Sequence, residues 1–136
     1  MTLILCLDDR NGISFNGRRQ SRDRAILADI ANLLGGKSLL IAEYSRGLLS
    51  ESRIPFIATD GFLHMSNGED LCFVEDRDPS PFLGKADKVV IYRWNRHYPA
   101  DIKLSADLSA EGFKLCSNTE FTGYSHEKIT KEIYGK

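Results

Sequence analysis

The chain has 136 residues, with 18 Lys and Arg against 19 Asp and Glu, a formal net charge of −1. A balance so near zero gathers neither nucleic acid nor an anionic membrane, so such a partner needs a local patch. Apolar residues are 42% and charged residues 27%, which suits one folded domain over residues 1–136 and argues against disorder.

"TLILCL" (2–7) is a short continuous apolar run ending at Asp8-Asp9 and predicts a strand buried on both faces. "DRNGISFNG" (9–17) carries two Asn-Gly pairs and predicts a loop. Four arginines, Arg18, Arg19, Arg22 and Arg24, then fall within seven residues. Ser21 is the expected N-cap of the next helix, with Asp23 in its first turn, where the helix dipole favours an acid. Ile26, Leu27, Ile30, Leu33 and Leu34 share one face of a helix over 22–34, which Gly35-Gly36 stops.

"SLLIAE" (38–43) predicts a second buried strand and "RGLLSES" (46–52) a short helix or turn. "IPFIAT" (54–59) predicts a third strand, with Pro55 arguing against a central ladder position. These three strands are expected side by side in one central sheet, with the helix packed on it through Ile26, Leu27, Ile30 and Leu33. "GFLHMSNGEDLCFVED" (61–76) predicts one or two short strands around Asn67-Gly68. "RDPSPFLGKAD" (77–87) predicts a loop with at most one helical turn.

"KVVIYRW" (88–94) predicts a strand. Alternate strand residues face opposite sides, so "YRWNRHY" (92–98) reads as a packed aromatic face with a charged outer face. Its basic and aromatic mixture would otherwise suit stacking on single-stranded nucleic acid. "ADIKLS" (100–105) predicts an edge or crossing segment and "GFKLCSNTEF" (112–121) a strand. In "YSHEKITKEIYGK" Ser125 fits a helix cap, while Ile129, Thr130 and Ile133 fit a strand equally well. The order of elements predicts a mixed α/β domain with a largely parallel beginning.

The three cysteines, Cys6, Cys72 and Cys116, have no C-x-x-C spacing and predict reduced, buried thiols in a cytoplasmic compartment. The N-terminal apolar run is too short for a signal peptide or membrane span. His64, His97 and His126 are far apart, so no metal site is expected. Asp8-Asp9 and Glu75-Asp76 read as solvated charges at strand ends. Neither G-x-S-x-G nor a P-loop occurs.

The opening "LCLDDRNGISFNG" resembles that of dihydrofolate reductase, with its apolar strand, Asp, Asn-Gly-Ile and Asn-Gly. The distance from Asn16-Gly17 to "GKSLLI", the strand "SRIPFIATD" and the closing "GKADKVVIYRWNRHYPADIKLSADLSAEGFKLCSNTEF" extend the resemblance to both ends of the chain. It implies a dihydrofolate-reductase-like central mixed sheet flanked by few helices. It also implies a bacterial-type cytosolic protein, shortened in the nucleotide-binding part between "IPFIATD" and "LCFVED".

Carried across residue by residue, the resemblance puts Ile26 where the family has its substrate-binding acid. Leu27 and Ile30 match apolar substrate contacts, and Gln20 and Ser21 replace a loop Pro and Trp. Ala42-Glu43 replaces a phosphate-holding Gly-Arg pair, and Glu75-Asp76 replaces the Gly-Gly turn beside the cofactor. Tyr92 replaces a threonine that supports the acid, while Arg53 matches the arginine that takes the glutamate tail of folate.

The expected protein therefore lacks an NADPH site and dihydrofolate reductase activity. No other cofactor is expected, and the oligomeric state is left open. The expected ligand site comprises Arg18, Arg19, Arg22 and Arg53 with Ile26, Leu27 and Ile30, holding a small anionic molecule or a partner in the retained cleft. The alternatives are an NAD(P)H-dependent reductase of another small substrate and a nucleic-acid-binding protein using the Arg18–Arg24 patch with Arg93 and Arg96.

Overall fold

The computed structural model describes residues 1–136. Strand β1 (Thr2–Leu7) runs through the middle of a seven-stranded sheet, because its side chains are apolar on both faces. Leu3, Leu5 and Leu7 enter one core layer, and Ile4 enters the layer on the opposite face. No helix is long and apolar enough to cross a membrane.

Strand β2 (Gly12–Phe15) and strand β3 (Arg18–Arg19) form a hairpin where the sequence predicted only a loop. Its two turn residues, Asn16 and Gly17, have φ of 52° and 73°, the left-handed pair that a two-residue hairpin turn demands. Helix α1 (Arg24–Leu34) follows, capped by Asp23 rather than Ser21. The Asp23 carboxylate accepts from the Ala25 N–H at 2.9 Å. Gly35 ends the helix in the left-handed conformation, as predicted.

Strand β4 (Leu39–Ile41), a 3-10 turn (Glu43–Ser45) and helix α2 (Arg46–Glu51) lead to strand β5 (Phe56–Ala58). Then come helix α3 (Phe62–Met65), strand β6 (Leu71–Val74) and a 3-10 segment (Ser80–Lys85). Residues 61–76 thus give one helix and one strand instead of one or two strands. The 77–87 segment winds six residues, about two turns, not one.

Strand β7 (Lys88–Arg93), the short β8 (Ile102–Lys103), β9 (Lys114–Phe121) and β10 (Ile129–Gly135) complete the chain. The ambiguous tail is a strand because it pairs antiparallel with β7 on one side and β9 on the other.

The large sheet runs β5-β4-β6-β1-β7-β10-β9, parallel up to β7. The three early strands share this sheet, but β6 separates β1 from β4. β6 is mostly buried and takes a central slot, whereas β5, preceded by Pro55 and half-exposed, lies at the edge. A second sheet, β3-β2-β8, sits at the carboxyl end of β1.

One core layer packs α3 and the Ser80–Lys85 segment against the sheet through Phe62, Leu63 and Leu83. The other packs α1 and α2 through Ile26, Leu27, Ile30, Leu34, Leu48 and Leu49. Leu33 is only half-buried, and Leu34 takes the full burial in its place.

The cysteines are free but not uniformly buried. Cys72 is buried, Cys6 half-buried, and Cys116 is exposed on the outer strand β9. Burial pushes the Cys6 and Cys72 thiols up, Cys6 above the range in which a thiolate forms at neutral pH. Iodoacetamide at pH 8 should therefore alkylate Cys116 first, with Cys6 and Cys72 reacting only on unfolding. Peptide mass mapping over time checks this order.

Candidate functional site

A small cavity lies where the carboxyl ends of β1 and β6 meet the start of α1. This is the end of a parallel sheet at which ligands enter α/β folds. Connections diverge here: α1 carries the chain from β1 toward β4, and the segment after β6 crosses to β7 on the far side of β1. Cys6, Ile13, Ile26, Leu27, Phe73 and Trp94 give it an apolar floor. Arg19, Gln20, Asp23 and Glu75 are among its polar walls. The enclosed space is about 20 Å³, room for a single water.

Arg19 closes the mouth. Its guanidinium donates from Nε to Glu75 Oε2 at 2.9 Å and from Nη2 to Glu75 Oε1 at 2.8 Å. The Ser45 hydroxyl donates to the same Oε1 at 2.6 Å. Arg19 also stacks over Tyr44, and its hydrogen bonds to Glu75 raise its already high pKa. Glu75 is buried at the end of β6, so the solvated charge expected there is an ion pair. The hairpin turn at Asn16-Gly17 brings this arginine back over the sheet.

Asp8 is also buried rather than solvated. It accepts from the backbone N–H groups of Arg10, Gly12 and Tyr98 and from Gln20 Nε2, which ties the small sheet to β1. Burial opposes its ionisation, but these bonds win and hold its pKa below the usual value.

Asp23 anchors a third cluster. It accepts from the N–H groups of Tyr124 and Ser125, each at 2.9 Å, and from His126 Nδ1 at 3.0 Å. Gly123 permits this approach, since a Cβ there would sit 2.5 Å from Asp23 Oδ2. Burial again opposes ionisation, and again the donors win, holding the Asp23 carboxyl well below the usual range. The His126 ring lies 4.7 Å from that of Trp94, at 30°. Its Nε2 meets the Tyr98 hydroxyl at 3.0 Å and the Ser21 hydroxyl at 3.2 Å.

The structure divides the expected ligand residues. Arg19, Arg22, Ile26 and Leu27 line the cavity. Ile30 does not; it is fully buried in the core one turn along α1. Arg18 projects exposed from the hairpin. Arg22 pairs with Glu51 at 2.9 Å, and Arg24 lies over the exposed Tyr124 ring. Arg53 is exposed in the turn between α2 and β5, with φ of 56°, and lines none of the principal cavities.

Other expected positions are engaged within the protein. Glu43 pairs with Arg46, and Asp76 with Arg77. Tyr92 is buried and donates to Asp29, and burial raises its pKa far above the usual tyrosine value. Trp94 is buried on the same layer, while Arg93 on the opposite side pairs with Glu132 and Asn11, as the alternation predicted.

Glu75, Asp23, His126 and Trp94 escaped sequence reasoning as one constellation. The sole local signal was Asp23 just before the apolar helix face. The others come from three separate strands or loops.

No family model matches the sequence, and no curated protein does. A solved structure does: a dihydrofolate reductase from Enterococcus faecalis complexed with NADP(H) and RAB-propyl. The two superpose with a TM-score of 0.69 over 98% of this chain and 94% of that one, at 9% identity. The chain has the dihydrofolate reductase fold. At 9% identity the likeness establishes architecture alone, so the chemistry rests on the residues of this chain. In this dihydrofolate-reductase-like fold the single turn of α3 lies between β5 and β6.

Proposed function

We propose that the protein binds a small anionic molecule in the cleft at the carboxyl ends of β1 and β6 and is not an active dihydrofolate reductase. The observation that supports this is the Arg19 guanidinium, held by Glu75 across the mouth of an apolar-floored cavity. A carboxylate or phosphate offers the same paired acceptors as Glu75. Exchanging one for the other swings Arg19 outward and opens the space behind it. Hydride transfer needs a cofactor held against its substrate. The carboxylates lining the cavity, Asp23 and Glu75, are already occupied by internal donors, and the arginines at the neighbouring strand ends, Arg46 and Arg77, are already held by Glu43, Asp60 and Asp76. An NAD(P)H-dependent reductase of another substrate would need a phosphate cradle built from donors other than these paired arginines.

Calorimetry with inorganic phosphate and small aryl carboxylates tests the proposal. Glu75→Gln removes the internal competitor and should tighten binding about tenfold, the worth of one charge-assisted hydrogen bond. Arg19→Ala should abolish binding, and Arg53→Ala should leave it unchanged. Equal affinity in wild type and Arg19→Ala, or no binding in any of them, would count against the anion site. Tight NADPH binding or dihydrofolate turnover would remove the second half of the proposal.

One observation favours a second reading. Arg18 is exposed, and Arg24 lies 5.8 Å from the centroid of the Tyr124 ring, itself 77% exposed, a pairing suited to stacking a nucleic-acid base. Binding of a single-stranded oligonucleotide with a steep salt dependence would support it over pocket binding.

A further inference from the structure

We propose that Ser21, His126 and Asp23 form an acyl-transfer relay opening on this cavity, and that the protein hydrolyses small carboxylic esters. The three side chains make an acid–imidazole–hydroxyl series. Asp23 lies 3.0 Å from His126 Nδ1, and His126 Nε2 lies 3.2 Å from Ser21 Oγ. Ionised Asp23 accepts the Nδ1 proton and so leaves the lone pair on Nε2, facing the hydroxyl. The Trp94 ring on one side fixes the imidazole plane. Ser21 lines the cavity, whose apolar floor of Ile26, Leu27 and Phe73 suits a short acyl chain once displacement of Arg19 widens it beyond the room of a single water.

A structural latch joining the 123–126 loop to α1 needs only the Asp23 half of this arrangement. Two features lie outside it. Ser21 stands on the opposite nitrogen of the ring, and the indole N–H of Trp94, a residue of the same cavity lining, is buried with no protein hydrogen-bond partner. An acyl oxygen within its reach would satisfy this donor.

In the first step Ser21 Oγ bonds to the ester carbonyl carbon and gives its proton to Nε2. The carbon–alkoxy bond then breaks, and the alcohol leaves with that proton. Water attacks the acyl-serine and passes its proton to Nε2. The carboxylic acid departs as the proton returns to Ser21. Asp23 is a positioning residue throughout. Tyr98, at 3.0 Å from Nε2, competes with Ser21 for the single lone pair.

The inference rests on the cleft reading, since an ester reaches Ser21 only when the Arg19–Glu75 latch opens. An alkyl fluorophosphonate, with peptide mass mapping, tests it in wild type and in Glu75→Gln. Ser21 should be labelled in the folded protein, faster in Glu75→Gln. His126→Gln should slow labelling about 100-fold, the usual worth of a general base. Tyr98→Phe should speed it. Ser21→Ala should lose the wild-type excess of p-nitrophenyl acetate hydrolysis over buffer. Absence of Ser21 labelling in both folded proteins overturns the relay, as does an unchanged labelling rate in a folded His126→Gln. Phosphate binding without labelling sinks the relay and leaves the anion site standing. Labelling without phosphate binding does the reverse.

Discussion

Asp23→Ala should lower the stability of the fold by on the order of 3–5 kcal/mol, the sum of several buried and partly buried donors left unmet. The carboxylate caps α1 through Ala25 and holds the Tyr124 and Ser125 N–H groups and His126. Truncation strands all of these partners at once. Asp23→Asn keeps an acceptor oxygen and should lose less.

The effect has a definite pH dependence. The folded-state pKa of Asp23 lies below that of an unfolded aspartate, which titrates near ~3.9. A depressed carboxyl contributes stability that is fully present above the unfolded value and is lost as pH falls through the folded one. The gap between wild type and Asp23→Ala should therefore be full at neutral pH and narrow below about pH 4. Asp8 and Asp78, whose pKa values are also depressed, keep part of the acid sensitivity in the variant. Urea denaturation at neutral and acid pH gives both quantities. A gap that stays constant down to strongly acid pH would refute the linkage.

Ile30→Ala should cost about 2–5 kcal/mol, because it empties a fully enclosed site. Ile30 belongs to the core layer that joins α1 to β1, β6 and β7 through Ile4, Phe73 and Val90. For a domain of this size each kcal/mol lowers Tm by about 4 °C. Leu33→Ala, on the half-buried flank of the same helix, should cost clearly less. A shift for Ile30→Ala no larger than for Leu33→Ala would show that the helix packs differently. Because Ile30 does not line the cleft, phosphate affinity should survive the substitution in whatever fraction stays folded.

Local chemistry explains why much of the fold was legible. The continuous apolar run at 2–7 suits a strand buried on both faces and the β-branched "KVVIYRW" (88–94) a strand, and they are the central strands β1 and β7. The helical spacing from Ile26 to Leu34 and the Gly35 stop depend on neighbours within a few residues. Pro55 marked an edge strand for the same reason. Asn16-Gly17 carried a hairpin signal as strong, but the flanking "GISF" and "RR" were too short for a strand pattern to show.

The tail was ambiguous because Ile129 and Ile133 suit both a helix face and a strand face. Hydrogen bonds from β7 and β9 decided between them. The site was the least legible part. Arginines were visible as a cluster, but their pairing was not. Arg19 meets an acid 56 positions away, and Arg22 meets one 29 positions away. His126 reaches Asp23 across 103 positions, through a loop that only Gly123 lets close.

The amino-acid sequence by itself determined the mixed α/β class, the central strands, the amphipathic face of α1 and the dihydrofolate-reductase-like order of elements. The first three rest on periodicity and turn chemistry, which act over a few residues, and the last on the resemblance of its motifs to that family. Tertiary structure alone decided that β6 enters between β4 and β1, that Arg19 closes the cleft on Glu75 and that Arg53 stands apart. It also set Asp23, His126 and Ser21 in one line. Charges and hydrogen-bond donors find partners by distance in space, and the cost of burying them unpaired selects those partners only once the sheet has assembled.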